Sequence, residues 1–292
     1  MQVPESAGIP GERVRIGGLD FDLWQDGDPT RPAILMLHGF PADHTCWDSW
    51  IEPLVRAGYR PIRPDQRGYS PGARPREIEA YRLGVLVDDA LGMLDALGVD
   101  QAHVLGHDWG GAVAWALASR HPERVASLTV LSTPHPRAFL AALGSSRQLA
   151  MSWYMGLLQW PDLAHRAVAP GGPAWPRLMR GLPIPVRDHY ASRARDPQAF
   201  RAMIAWYRAM ALDAIRPSVP WEPILVPTLY AWGMRDPALG PVAARLTAAE
   251  VEASYEFIAL VRHGHWLPER AAHLLLAKVI EHLAANAMDT RP

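Results

Sequence analysis

Gly106-His107-Asp108-Trp109-Gly110-Gly111 decides the fold: the hexapeptide follows the apolar run Ala102 to Leu105 and opens the amphipathic stretch Trp109 to Arg120. Glycines on both sides of one reactive side chain let a strand turn sharply into a helix, and such an elbow pushes that side chain into a pocket. The central residue, commonly serine in such elbows, is here Asp108. The helix N-terminus lies directly behind it, where unpaired N–H groups and the helix dipole keep a carboxylate ionised and available as a nucleophile. Capping the helix is the alternative role that the hexapeptide alone leaves open for Asp108.

On either side, apolar runs suited to buried parallel strands alternate with amphipathic stretches, the pattern of an α/β fold. Ala33 to Leu37, Tyr59 to Arg63, Gln101 to Leu105 and Val125 to Leu131 are the expected strands. Trp47 to Ala57, Tyr81 to Leu97 and Trp109 to Arg120 repeat apolar positions at intervals of three and four, as core-facing helices do. From about Pro136 to Pro217 strands vanish, and Pro and Gly punctuate short helical stretches such as Ser152 to Gln159 and Pro197 to Leu212. Strand runs return at Ile224 to Trp232 and Ser254 to Val261, before a terminal helix at Arg270 to Asn286. The expected division is therefore a core of residues 1–136 and 217–292 and a helical cap of residues 137–216.

The 292 residues carry 29 basic and 30 acidic side chains, and 49% are hydrophobic. That balance describes a soluble globular chain with no general pull toward nucleic acid or an anionic membrane. Cys46 is the single cysteine and pairs with nothing in its own chain; it is expected to be an ordinary buried thiol. Met1 to Gly11 lacks a basic segment followed by an apolar stretch, and no apolar run reaches the roughly 20 residues a spanning helix needs. A cytoplasmic protein is expected, with a homodimer left open.

His38-Gly39-Phe40-Pro41 follows the first buried strand, where a loop can aim backbone N–H groups across the elbow; Phe40 and Trp109 are the natural oxyanion donors. Asp236 sits at a strand end in Trp232-Gly233-Met234-Arg235-Asp236-Pro237, and Val261-Arg262-His263-Gly264-His265-Trp266 is a loop suited to carry a base. The order nucleophile, acid, histidine is the one expected of such a fold. His263 and His265 have no further ligand cluster of metal-binding spacing beside them, so a zinc pair is not expected there.

Nearly the whole chain resembles the α/β-hydrolase superfamily, a mostly parallel sheet flanked by helices with an inserted helical cap. The Asp elbow with His38-Gly39-Phe40-Pro41 resembles the epoxide hydrolases of that fold. Asp65-Gln66-Arg67-Gly68-Tyr69-Ser70 is similar to their D-x-R-G-Y-G turn, with serine in place of the last glycine, and is read as structural. Gly264-His265-Trp266 matches their G-H-W motif, which selects His265 over His263. The family's two cap tyrosines correspond to Tyr154, in Trp153-Tyr154-Met155-Gly156-Leu157-Leu158-Gln159-Trp160-Pro161, and to Tyr207, in Trp206-Tyr207-Arg208. The first segment departs from the pattern, with Leu157-Leu158 where an aromatic pair is usual.

The resemblance implies hydrolysis of a small apolar epoxide by water to a vicinal diol. Asp108 would attack a ring carbon while Tyr154 and Tyr207 stabilise the oxygen, and His265, oriented by Asp236, would activate water against the resulting ester; the resemblance implies no metal or organic cofactor. A haloalkane or haloacid dehalogenase is the first alternative. Haloalkane enzymes typically place a halide donor where Phe40 stands, and fluoroacetate enzymes an arginine where Trp109 stands. A non-catalytic ligand-binding homologue is the alternative from another class, and covalent labelling by an epoxide separates it from any enzyme.

Overall fold

A computed structural model describes residues 11–144 and 146–287 of the chain. The segment Met1 to Gly11, in which no signal peptide is expected, lies outside the described residues except for Gly11.

Eight strands form one sheet: β1 (Glu12–Ile16), β2 (Leu19–Gln25), β3 (Ala33–Leu37), β4 (Arg60–Pro64), β5 (Ala102–His107), β6 (Val125–Leu131), β7 (Thr228–Gly233) and β8 (Tyr255–Leu260). Their order is β1-β2-β4-β3-β5-β6-β7-β8. The β1/β2 and β2/β4 pairs are antiparallel and the others parallel. Every residue of β3, β4, β5 and β7 is buried, as strands covered on both faces must be, and for β3 the continuous apolar run Ala33-Ile34-Leu35-Met36-Leu37 meets that demand directly. β4 is less apolar. Its Arg63 is buried because the guanidinium pairs with Asp26 at 2.8 Å and Asp48 at 2.7 Å.

The helices are α1 (Asp48–Arg56), α2 (Leu83–Ala96), α3 (Trp109–Arg120), α4 (Pro136–Leu143), α5 (Ser146–Met151), α6 (Trp153–Leu157), α7 (Pro161–Val168), α8 (Trp175–Leu178), α9 (Ile184–Ala194), α10 (Pro197–Ile215), α11 (Pro241–Leu246) and α12 (Leu267–Ala285). In the sheet-covering layer α1 packs beside α12 and α2 beside α3. Helices α4 to α10 all fall between β6 and β7, and among the described residues this segment consists of helices joined by turns, with no strand.

Since β3 and β5 to β8 run parallel, their C-terminal ends meet along one edge of the sheet. The loops leaving β3, β5, β6, β7 and β8 carry Phe40, Asp108, Ser132, Asp236 and His265. Such an edge is where open α/β sheets place ligands. Helix α10 lies across it: the Trp206 indole N–H donates to the Arg67 carbonyl at 2.8 Å, anchoring the helix to the loop after β4.

That loop is structural, as its motif suggests. Arg67 grips Asp89 with two hydrogen bonds of 2.6 Å, and the Gln66 side-chain amide donates to the His38 carbonyl at 2.6 Å. Ser70, in the place of the motif's last glycine, donates to the Asp65 carbonyl at 2.5 Å and accepts from the Asp22 N–H at 2.9 Å. Cys46 is free and buried, as expected.

Candidate active site

Asp108 follows β5 with φ 51° and ψ −120°, backbone that a non-glycine residue adopts only where its surroundings impose it. The surroundings are the glycines. A Cβ on Gly110 would collide with the Leu37 carbonyl, and one on Gly39 would collide with Asp108 itself. The elbow and the loop after β3 can therefore approach closely only because both positions lack a side chain. Asp108 occupies the N-cap position of α3, but its carboxylate makes no capping hydrogen bond. Capping is thus not what its side chain does: Oδ1 accepts the Phe40 N–H at 2.8 Å, and Oδ2 lies 3.4 Å from His265 Nε2.

The other nitrogen of His265, Nδ1, donates to Asp236 Oδ2 at 2.8 Å. Asp236 Oδ1 accepts the backbone N–H groups of Ala238 at 2.8 Å and Leu239 at 3.0 Å, which fixes the carboxylate that orients the imidazole. The expected nucleophile, base and acid thus meet from three separate loops. Among the described residues His263 makes backbone hydrogen bonds alone, its carbonyl accepting from the Arg235 N–H at 2.9 Å. Of the two expected oxyanion donors, Phe40 makes its contact with Asp108. Trp109 begins α3, where a backbone N–H has no partner within the helix.

Burial alone would raise the Asp108 carboxyl, but the hydrogen bond and charge of His265 outweigh it and hold the pKa below the ordinary carboxylate value. Burial likewise opposes charge on His265, and there the carboxylates of Asp236 and Asp108 prevail, raising the imidazole well above its usual value. The pairing thus favours the charged forms of Asp108 and His265 together.

Tyr154 on α6 and Tyr207 on α10 reach the same place from the inserted helices. Their rings meet edge-on at 6.0 Å, and Phe40 and Trp109 pack against Tyr207 at 5.5 and 5.0 Å. Burial, followed by the nearby Asp108 charge, raises both phenols well above their ordinary value, so both stay neutral donors. The Gln159 side-chain amide donates to the Tyr207 carbonyl at 2.8 Å and the Met155 carbonyl at 3.1 Å, coupling the two tyrosine-bearing segments. Asp108, Tyr154 and Tyr207 line two adjoining cavities, of about 240 Å³ and 80 Å³.

Two residues of the site are not legible in the motifs. The His265 carbonyl accepts the Ser132 hydroxyl at 2.6 Å and His107 Nε2–H at 2.9 Å, a double clamp on the loop that carries the imidazole. Ser132 itself has φ 68° and accepts the Tyr230 hydroxyl on its carbonyl at 3.1 Å. His107 stands inside the quoted hexapeptide, so its proximity to Asp108 was available, but its long-range partner was not.

Asp43, His44 and Asp65 form a buried cluster whose donor atoms lie within 4.8 Å of one another, close enough for a metal ion. The chain brings its own cation there. Arg193 of α9 pairs with Asp43 at 3.0 Å and Asp65 at 2.6 Å, and His189 donates to Asp43 at 2.7 Å.

A family model for the α/β hydrolase fold matches residues 32–271. The chain is 30% identical to epoxide hydrolase A of Mycobacterium tuberculosis over 94% of its own length and 98% of that protein. It is 31% identical, with the same coverage, to the AB hydrolase superfamily protein YfhM of Bacillus subtilis. The crystal structure of epoxide hydrolase A from Mycobacterium thermoresistibile superposes with a TM-score of 0.80 at 28% identity, over 94% of this chain and 98% of that one. The chain belongs to the α/β-hydrolase fold family and, within it, to the epoxide hydrolases.

Proposed function

We propose that this enzyme converts an epoxide and water to a vicinal diol through a covalent ester on Asp108. One observation carries the proposal: the Asp108 carboxylate stands between His265 and the Phe40 N–H, in a cavity whose wall from the inserted helices supplies two neutral phenols. In a dehalogenase on this scaffold Phe40 would stand where a second halide donor is wanted, and the paired phenols would have no developing alkoxide to serve.

Asp108 Oδ1 is held by Phe40, leaving Oδ2 to attack a ring carbon. As the carbon–oxygen bond breaks, the ring oxygen takes a proton or a strong hydrogen bond from Tyr154 and Tyr207. An alkoxide leaves poorly without such help, and phenols of unperturbed pKa about 10 are protonated at neutral pH and can give it, the phenolate that results regaining a proton through solvent. The product is a hydroxyalkyl ester of Asp108.

Esterification removes the Asp108 charge, one of the causes that raise His265. The imidazole pKa falls, its proton leaves, and the neutral ring, held by Asp236, becomes a base for water. That water attacks the ester carbonyl carbon, and the oxyanion rests on the N–H groups of Phe40 and Trp109. Collapse of the tetrahedral species releases the diol and restores the carboxylate.

In this reading residues 137–216 are the cap and the remainder the catalytic core. The apolar lining suits a small apolar epoxide. No described helix is long and apolar enough to cross a membrane. The single buried thiol fits a reducing compartment, and we place the enzyme in the cytoplasm. Turnover of aryl and alkyl epoxides beside haloalkanes, with diol and halide both measured, tests the reaction class. Diol from epoxides supports it, and halide release without diol would replace it with the dehalogenase.

A further inference from the structure

The two cavities share Asp108, Tyr154 and Tyr207, so an epoxide ring held by those three residues can send a substituent into each lobe. The lobes differ in character. The larger is lined by Phe139, Leu140, Met155, Met210, Val219 and Trp221 among others, and its one ionisable carboxyl besides Asp108 is Asp213. That carboxylate is already committed: it accepts from Arg82 Nε at 2.9 Å and from the backbone N–H groups of Leu83 at 2.9 Å and Ser218 at 3.1 Å. No basic side chain lines the larger lobe.

The smaller lobe has apolar walls that include Met151, Leu178 and Met179, and it contains one cation besides His265, namely Arg177 of α8. The Arg177 guanidinium lies over the Trp153 ring, 5.7 Å from its centre, within cation–π range. Among the described residues no carboxylate pairs with it. A cation–π contact with an indole draws a guanidinium toward the ring without using up its N–H donors, and those donors match a carboxylate in shape and charge. Trp153 and Arg177 are both exposed, so the lobe reaches the surface where they stand.

Building on the epoxide hydrolase reading, we infer that Arg177 is a specificity-determining residue that recognises a carboxylate on the shorter arm of the substrate. The preferred substrate is then amphiphilic. An apolar arm fills the larger lobe, the ring lies under Tyr154 and Tyr207, and a short arm ends in an anion against Arg177. The charge distribution favours this orientation over its reverse. An anion in the larger lobe would find no basic side chain on its lining and a carboxylate already paired with Arg82, whereas one in the smaller lobe meets Arg177, with which no described carboxylate pairs.

The test uses a series of epoxides with a pentyl group on one ring carbon and, on the other, an arm of increasing length ending in a carboxylate, beside the matching neutral amides. The wild-type enzyme should favour at least one acid over its amide in kcat/KM, and added salt should erode that preference. Arg177→Gln should lower the acid-to-amide ratio by roughly two- to fivefold, the scale of an exposed ion pair, and Arg177→Lys should retain more of it than Arg177→Gln. A wild-type ratio of one at every arm length, or a ratio that Arg177→Gln leaves untouched, overturns the inference.

Binding of the same acid and amide pairs to Asp108→Asn, followed by calorimetry, separates this from the reaction itself. Absence of any diol with an acid preference kept in binding would sink the epoxide chemistry and leave Arg177 standing. Diol formation without an acid preference would do the reverse.

Discussion

Nε2 of His265 lies 3.4 Å from Oδ2 of Asp108, so the base of the proposed second step is, at rest, the ion-pair partner of the nucleophile of the first. Both charges are favoured by the pairing: Asp108 is lowered and His265 is raised despite the burial of each. In the ester that partnership is gone, and His265 keeps only Asp236.

A pH dependence with a definite sign follows. Water activation needs neutral imidazole, so decay of the ester should fall as pH drops through the His265 pKa, by about tenfold per unit well below it. That pKa should be lower in the ester than in the free enzyme, because the Asp108 charge that raises it has been removed. Single-turnover decay of the ester across pH, beside a direct titration of His265 in the free protein, makes the comparison. Equal values in the two states would mean that Asp108 does not set the charge on His265.

Tyr154→Phe and Tyr207→Phe should each slow formation of the ester, and the double variant should nearly abolish it, since general acid assistance is worth about 100- to 10,000-fold. Rapid-quench measurement of the first step reads this directly. A double variant that opens the ring at the wild-type rate would remove both tyrosines from the mechanism.

Asp236→Asn should spare the first step and slow the second by about 1,000-fold or more, because an amide can still touch the imidazole but cannot offset its charge. The ester would then accumulate in the steady state. Unchanged decay would send the search for the orienting acid elsewhere.

The inserted helices are held over the site partly by charge. Asp43 and Asp65 are buried, which disfavours their ionisation, yet His189, His44 and Arg193 outweigh burial and lower both. Arg193→Gln removes one cation from two buried carboxylates and should destabilise the protein by on the order of 3 kcal/mol at pH 7. Groups with depressed pKa stabilise above the unfolded value and lose that contribution as pH falls through the folded one, so the difference from wild type should shrink below about pH 4. Thermal unfolding of both proteins from pH 7 downward measures it. A gap that widens on acidification would contradict the role of these carboxylates.

The central strands were legible because β3, β5, β6 and β7 are buried and announce themselves as apolar runs. β1 and β2 were not, because Glu12-Arg13-Val14-Arg15-Ile16 and Leu19-Asp20-Phe21-Asp22-Leu23 alternate polar and apolar residues in the antiparallel part of the sheet, where one face is solvated. The last helix starts at Leu267, three residues before the expected Arg270, since Pro268 in its first turn costs no hydrogen bond. Asp108, Asp236, His265 and the two tyrosines were readable from local motifs, each set in a turn or beside a recognisable neighbour. The Ser132 clamp on the His265 carbonyl spans 133 positions, and Arg177 gains meaning only from the cavity it faces; neither leaves a local pattern.

The most direct test of the covalent mechanism is the intact mass of His265→Gln after incubation with an epoxide. The first step needs only the Asp108 carboxylate and the second needs the base, so the variant should gain the mass of one whole epoxide, on Asp108 by peptide mapping, and Asp108→Asn should initially gain none. A gain equal to a haloalkane less hydrogen halide would instead mark a dehalogenase. Diol formed by His265→Gln with no adduct at any time, or an adduct on another residue, would contradict the ester on Asp108 and favour direct attack of water on the ring.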